Sequence, residues 1–116
     1  MEKMKTTKIS GGPAPPVVRY VEMLWHAINQ SNAATVVVRL DDGACHIFLD
    51  SEELNPPLGN LFPHIIRELL RYTGTRIWPW TKSVRDKTCR VEVADTSVAW
   101  TMASNNLSRI LIIKRA

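Results

Sequence analysis

Residues 35–50 read TVVVRLDDGACHIFLD and predict two strands around a tight turn. The Asp41-Asp42-Gly43 segment is typical of a β-hairpin, since Asp and Gly tolerate the positive φ angles that a short turn requires. β-branched residues dominate residues 35–40, and residues 44–50 return as the second strand. The sequence therefore predicts an antiparallel hairpin, and we expect the remaining elements to build on its sheet.

Two amphipathic helices flank this hairpin along the chain. The first opens at Pro15-Pro16, because a proline in the first turn loses no helical hydrogen bond, and it runs to about Gln30. The second covers residues 61–72, and Gly74 follows it where a left-handed residue is favoured. Apolar residues at three- and four-residue spacing predict the buried faces. These faces comprise Val17, Tyr20, Val21, Leu24, Trp25 and Ile28 in the first helix, and Phe62, Ile65, Ile66, Leu69 and Leu70 in the second.

The remaining segments complete an α+β pattern. They are predicted as a loop over residues 54–60, an irregular segment over 75–87, and strands over 88–94, 97–104 and 108–115. Residues 1–13 are polar, basic and rich in Gly and Pro, which predicts a flexible tail, and residues 14–116 are predicted to form a single domain. We therefore expect the order αββαβββ, with two helices against a largely antiparallel sheet of about five strands.

Sequence patterns that carry chemistry are not found. The chain has no G-x-x-x-x-G-K-[ST] loop and no G-x-G-x-x-G after a strand, so nucleotide hydrolysis and dinucleotide binding are not expected. Cys45 and Cys89 lack C-x-x-C spacing, which indicates buried free thiols and a reducing compartment. His26, His46 and His64 have no partner at metal-ligand spacing. We therefore expect a chain that is not an enzyme, with no catalytic residue, no metal site and no cofactor.

Residues 67–90 form a basic stretch with seven basic and two acidic residues, in a chain of net charge +4. Trp78-Pro79-Trp80 adds two indole rings to it. Exposed Trp and Arg anchor protein interfaces, and aromatic rings beside cations also stack on single-stranded bases. The alternatives are a solvated basic face, and rings that fold back over the sheet edge or the second helix. The candidate interaction surface comprises Arg67, Arg71, Arg76, Trp78, Trp80, Lys82, Arg85 and Lys87.

Two segments carry a resemblance to a known family. Residues 14–38 contain APPVVRYV, then Leu24, Ala27-Ile28 and NAATVVV, and residues 65–77 read IIRELLRYTGTRI. The first is similar to A-P-V-V-x-x-V-N-x-x-L-x-x-A-I-x-x-x-A-S-D-I-H-I, and the second to I-I-x-R-I-K-x-L-A-G-x-D-I. Both patterns belong to the PAS-like N-terminal domain that precedes the motor domain of type II secretion and type IV pilus assembly ATPases.

The resemblance spans residues 14–115 and implies a small α/β domain, here without the motor domain. In the family, arginines of an R-I-D-G segment and of the loop before P-Q-D-G help to contact nucleotide on the motor domain. Phe48-Leu49-Asp50-Ser51 stands at the first place, and Lys82 or Arg85 stands near the second. The resemblance therefore implies a domain that keeps the family's shape and has shed its phosphate contacts.

These observations lead us to expect a non-catalytic protein-interaction and assembly module in the bacterial cytoplasm. Its expected partner is a secretion or pilus assembly protein, which would hold it at the inner membrane, or a second copy of itself. The alternative is a nucleic-acid-binding module that uses residues 67–90 and binds less tightly as salt rises. An enzyme with an unrecognised site ranks below both. We expect no membrane span, since the longest apolar runs are too short, and no small-molecule substrate.

Overall fold

The computed structural model describes residues 4–54 and 59–116. Within these residues the chain forms seven strands, two α-helices and one 3₁₀ turn. In chain order they are β1 (Lys5–Ile9), α1 (Pro16–Gln30), β2 (Thr35–Asp41), β3 (Ala44–Leu49), β4 (Glu52–Leu54), the 3₁₀ turn (Gly59–Leu61), α2 (Phe62–Arg71), β5 (Val84–Val93), β6 (Thr96–Ser104) and β7 (Ile110–Arg115).

All seven strands lie in one mixed sheet, in the order β1-β5-β6-β7-β2-β3-β4. Strand β1 runs parallel to β5, and every other neighbouring pair is antiparallel. The α+β class with two helices is confirmed, and the sheet is largely antiparallel. The expectation of about five strands is corrected to seven, because the two edge strands, β1 and β4, were not predicted.

Strand β1 lies in the segment that the sequence assigns to a flexible tail. Its register pairs Lys5 with Cys89 and Ile9 with Val93, and Ile9 is its one buried residue. A strand with a single buried side chain has no alternating apolar pattern, so its position depends on backbone hydrogen bonds to β5. The sheet therefore includes residues before position 14. Residues 1–3 of the predicted tail lie outside the described residues.

Strand β4 is short and follows β3 through a turn at Asp50, whose φ is 55°. Its three residues pair with β3, from Ile47–Leu54 to Leu49–Glu52. Three residues carry too little sequence pattern to predict a strand. Of the predicted loop over 54–60, residues 55–58 lie outside the described residues.

The hairpin and both helices form where they were predicted. Asp42 and Gly43 have φ angles of 50° and 78°, which are the positive values that the turn requires. Each helix ends within one residue of its predicted boundary. Strand β5 begins at Val84, four residues before its predicted start, because a bulge between Val84 and Lys87 lets the pairing with β6 continue.

Both helices pack on one face of the sheet and enclose a single hydrophobic core. Alternate strand residues such as Val36, Val38 and Ile47 supply the sheet side of this core. Fully or largely buried helix residues supply the other side, in agreement with the predicted faces; they are Val21, Leu24, Trp25 and Ile28 in α1 and Phe62, Ile65, Ile66, Leu69 and Leu70 in α2. In the described part of the chain, neither helix is long and apolar enough to cross a membrane.

One polar side chain, Asn29, lies in this core between α1 and the sheet and is 5% exposed. Its Nδ2 donates to the Val91 carbonyl at 3.0 Å, and Trp100 Nε1 donates to Asn29 Oδ1 at 3.1 Å. The neighbouring Trp25 ring has its centroid 6.1 Å from that of Trp100. Its Nε1 is buried and has no hydrogen-bond partner among the described residues. Asn29 therefore connects α1 to β5 and β6. The two buried indoles differ because the Trp100 N–H is hydrogen-bonded to Asn29 and the Trp25 N–H is not.

Candidate functional site

The segment between α2 and β5 holds two tryptophans in a tight turn, here called the tryptophan turn (residues 78–81). The Thr81 N–H donates to the Trp78 carbonyl at 2.9 Å, and the Trp78 N–H donates to Thr81 Oγ1 at 3.0 Å. Pro79 occupies the second position, where its fixed φ favours the turn. The backbone of the turn is therefore held by hydrogen bonds between Trp78 and Thr81, and it does not depend on burial of the two indole rings.

The two indole rings of this turn pack on each other. Their centroids lie 5.4 Å apart and their planes differ by 8°. Trp78 is 44% exposed and Trp80 is 71% exposed, so neither ring is buried over the sheet edge or α2. The guanidinium carbon of Arg76 lies 4.5 Å from the Trp78 ring centroid, within cation–π range. Arg76, Trp78 and Trp80 thus form an ordered stack that ends in an open indole face.

An apolar cavity of about 160 Å³ opens beside Trp78, between the tryptophan turn and the start of α2. Its walls include Pro63 and Ile66 from α2, Ile77 from the preceding segment and Leu107 from the β6–β7 connection, with Arg67 among its lining residues. A cavity of this size and lining accommodates one aliphatic or aromatic side chain. The exposed tryptophans therefore lie next to a recess in which a partner's side chain can be buried.

A second and larger cavity of about 490 Å³, with both polar and apolar lining, adjoins the tryptophan turn. It is lined by Trp80, Lys82, Asn105 and Asn106 among others, and Thr81 lines this cavity as well as the apolar one. The Leu107 N–H donates to the Lys82 carbonyl at 2.8 Å, which fastens the β6–β7 connection to the turn. The turn therefore contributes to the walls of both cavities.

The predicted surface residues do not all come together. Arg67, Arg76, Trp78, Trp80 and Lys82 adjoin the tryptophan turn and its cavities, and we call these five the basic aromatic surface. Lys87 lies next to this surface, because it lines a neighbouring cavity together with Arg76. Arg71 Nη1 lies 3.1 Å from Glu68 Oε2, so its charge is compensated locally. Arg85 lies apart, in a cavity with Ile110 and Ile112.

One cation was missed by the sequence reasoning because it lies in the predicted tail. Strand β1 brings Lys5 into the cavity that holds Arg76 and Lys87. Lys5 Nζ donates to the Arg71 carbonyl at 3.1 Å, which ties β1 to the end of α2. No local pattern marks Lys5, since its position depends on the pairing of β1 with β5.

The cysteines are free and buried, as predicted. Burial raises the pKa of Cys45 to about 11 and that of Cys89 to about 12, which favours the protonated and unreactive thiol at neutral pH. His46 Nδ1 lies 2.6 Å from Glu53 Oε1, which pairs β3 with β4. Across residues 4–54 and 59–116, no group of three or more His, Cys, Asp or Glu side chains is placed to hold a metal ion.

Comparison of the chain with known proteins finds no matching protein-family model and no matching curated protein. The resemblance to secretion ATPase N-terminal domains therefore rests on the sequence segments at residues 14–38 and 65–77.

Proposed function

We propose that this chain is a non-catalytic protein-interaction module that binds an acidic partner through the basic aromatic surface. The observation that carries the proposal is the apolar cavity of about 160 Å³ beside the exposed Trp78 and Trp80. Interfaces derive most of their affinity from aromatic and arginine anchors around pockets that exclude water. The stacked rings are held by the tryptophan turn before binding, so little side-chain entropy is lost on binding.

The charges around this surface indicate an acidic partner. The ion pairs within the described residues are Arg39–Asp41, His46–Glu53 and Arg71–Glu68. Arg67 and Lys82 are exposed and take part in none of them. A partner that places one apolar side chain in the cavity and carboxylates around it complements this surface.

The resemblance of residues 14–115 to secretion ATPase N-terminal domains supports a partner from secretion or pilus assembly machinery. A cytoplasmic platform segment at the inner membrane and a full-length secretion ATPase are the two partners to test first. Binding to either would use the folded basic aromatic surface described above.

The test is isothermal titration calorimetry of the purified chain against these two partners. Trp80→Ala removes the most exposed ring of the stack, and we expect it to weaken binding about 30-fold or more, the loss typical of an interface hot spot. The matched control is Met23→Ala, because Met23 is 66% exposed on α1 and lines none of the cavities around the turn. Circular dichroism checks that both variants remain folded.

Three results would count against the proposal. These are no binding to either partner, binding that Trp80→Ala leaves unchanged, and equal losses in Trp80→Ala and Met23→Ala. The last result would indicate that the affinity comes from a different or a nonspecific surface.

A second candidate function is single-stranded nucleic-acid binding, and the geometry of the stack favours it. Trp80 presents an open indole face parallel to Trp78, and bases stack on such faces. Arg76 lies over the Trp78 ring and Lys82 lines a cavity with Trp80, so both cations are close enough to the rings to contact backbone phosphates.

Fluorescence anisotropy with labelled oligothymidylate at several salt concentrations tests this function. Phosphate contacts predict a slope of log K against log[salt] of about −0.7 for each phosphate contacted. Binding that is absent at low salt would exclude the nucleic-acid function. Binding that Trp80→Ala does not weaken would exclude the stacking site.

A further inference from the structure

A cavity of about 460 Å³ lies where the N-terminal strand, the end of α2 and β5 meet. It forms because β1 pairs in parallel with β5, opposite Cys89, and because Gly74 turns the chain after α2 with a φ of 75°. Residues far apart in sequence therefore meet at its walls. The lining residues that matter here are Lys5, Thr73, Thr75, Arg76, Lys87 and Thr88.

Three cations line this cavity, and no Asp or Glu is among its described lining residues. Lys5, Arg76 and Lys87 take part in none of the ion pairs formed within residues 4–54 and 59–116. Like charges that converge in this way repel one another, and a bound anion would relieve that cost. The charge arrangement therefore favours a compact, multiply charged anion over a neutral ligand.

Two of the three cations are fixed before any ligand binds. Lys5 Nζ is oriented by its hydrogen bond to the Arg71 carbonyl at 3.1 Å. The Arg76 guanidinium is held against Trp78 at 4.5 Å from the ring centroid. Fixed cations lose less side-chain entropy when an anion binds. The cavity therefore has the character of a preformed site.

Thr88 supplies a neutral hydroxyl donor to this cavity, whereas the Thr73 and Thr75 hydroxyls are engaged with each other and with the Leu70 carbonyl. Thr73 Oγ1 donates to the Leu70 carbonyl at 2.6 Å and also accepts from the Thr75 N–H at 3.2 Å, so its position is fixed by the end of α2. Thr75 Oγ1 lies 2.7 Å from Thr73 Oγ1, and Thr88 is exposed on β5. Ammonium, guanidinium and hydroxyl donors around one space are the groups that bind the oxygens of phosphate.

We propose that this cavity is a binding site for the phosphate group of a small ligand, either orthophosphate or an organic phosphomonoester. A volume of about 460 Å³ exceeds what one phosphate needs and falls in the range of small-molecule sites, so an organic group can follow the phosphate into it. The site shares Arg76 with the basic aromatic surface, but it does not rest on the proposed protein-interaction function, because Trp80 and the apolar cavity are not part of it.

Isothermal titration calorimetry at constant ionic strength tests the site, with orthophosphate and AMP as the probes. We expect saturable binding with one site per chain. Tighter binding of AMP indicates an organic phosphomonoester, and equal affinities indicate free phosphate as the ligand. Lys87→Ala removes a cation of the cavity and is expected to weaken binding about tenfold or more, since it removes a hydrogen bond to a charged group.

Lys8→Ala is the matched control, because Lys8 is an exposed lysine on the same strand as Lys5 and does not line the cavity. It is expected to leave the affinity for both probes unchanged. Trp80→Ala is also expected to leave phosphate binding unchanged while it weakens a protein partner, so failure of this site is distinguishable from failure of the proposed function.

The proposal is overturned if neither probe binds, or if Lys8→Ala weakens binding as much as Lys87→Ala, which would indicate nonspecific charge attraction. An oligothymidylate arm completes the test. Binding of the oligonucleotide without binding of AMP or orthophosphate would also overturn the site and would support the nucleic-acid function instead.

Discussion

The two buried indoles, Trp25 and Trp100, allow one hydrogen bond to be tested by the same substitution at two sites. Both side chains are fully buried, and the two rings lie against each other. Trp100→Phe removes the N–H that donates to Asn29 Oδ1, and this leaves a buried acceptor without that donor. Trp25→Phe removes an N–H that has no partner among the described residues. We therefore expect Trp100→Phe to be the more destabilising change.

The difference between the two variants can be estimated because each substitution removes the same ring atoms from the same core. The two substitutions therefore leave cavities of similar cost, and the variants differ mainly in the hydrogen bond that Trp100→Phe removes. A buried acceptor that loses its donor costs about 1–3 kcal/mol, whereas the loss of an unpaired donor removes a cost. We expect Trp100→Phe to lower the free energy of unfolding by about 2 kcal/mol more than Trp25→Phe does. At about 2.1 cal/mol/K of unfolding entropy per residue, this corresponds to a melting temperature about 8 °C lower.

The assay is thermal and urea denaturation followed by far-ultraviolet circular dichroism, which does not depend on the indoles as reporters. Combining each variant with Asn29→Ala gives two double-mutant cycles. We expect Asn29 to couple with Trp100 and to show little coupling with Trp25. Equal stability of the two Phe variants, or a less stable Trp25→Phe, would contradict this expectation. Such a result would mean that ring packing, rather than the hydrogen bond to Asn29, decides these positions.

Three further predictions concern stability. Gly74→Ala is expected to lower the free energy of unfolding by about 1 kcal/mol, because a φ of 75° is strained for alanine although space for a Cβ exists. Asn tolerates this φ better than Ala, so a larger loss of stability in Gly74→Asn than in Gly74→Ala would contradict this reason. Arg115→Ala is expected to lower the free energy of unfolding by about 1 kcal/mol, since Arg115 donates to the carbonyls of residues 31 and 33 at 2.8 Å and 2.9 Å. The matched control is Lys114→Ala at the exposed neighbouring position, and its stability is expected to stay within about 0.5 kcal/mol of the unsubstituted protein. The pKa of Cys89 is raised from 9.0 to about 12 by burial, so the folded state keeps a proton that the unfolded state loses above pH 9. The urea midpoint should therefore fall as pH rises from 9 towards 12, and it should fall less steeply in Cys89→Ala; equal slopes would contradict the assignment.

The basic aromatic surface shows how far residue patterns reach at a site. The sequence marked Trp78, Trp80 and the cations of residues 67–90 as candidates, because residue type and local charge are visible without a structure. It left open whether the rings were exposed, since exposure depends on what packs over the turn. The structure places Arg71 beside Glu68 and Arg85 in a separate cavity, and it adds Lys5 from the N-terminal strand. The charges along the chain therefore predicted that the surface is basic and aromatic, but they did not predict which cations lie on it.

Local residue patterns were enough to predict the hairpin at residues 41–44, both helices and their buried faces, because turns and helices depend on neighbours within a few positions. Only the folded chain reveals the edge strands β1 and β4, the stacking of the two exposed indoles and the cavity that Lys5, Arg76 and Lys87 share. These features depend on backbone pairing and packing between distant segments. Strand β1 buries only Ile9, so its side chains carry almost no pattern from which its pairing with β5 is predicted.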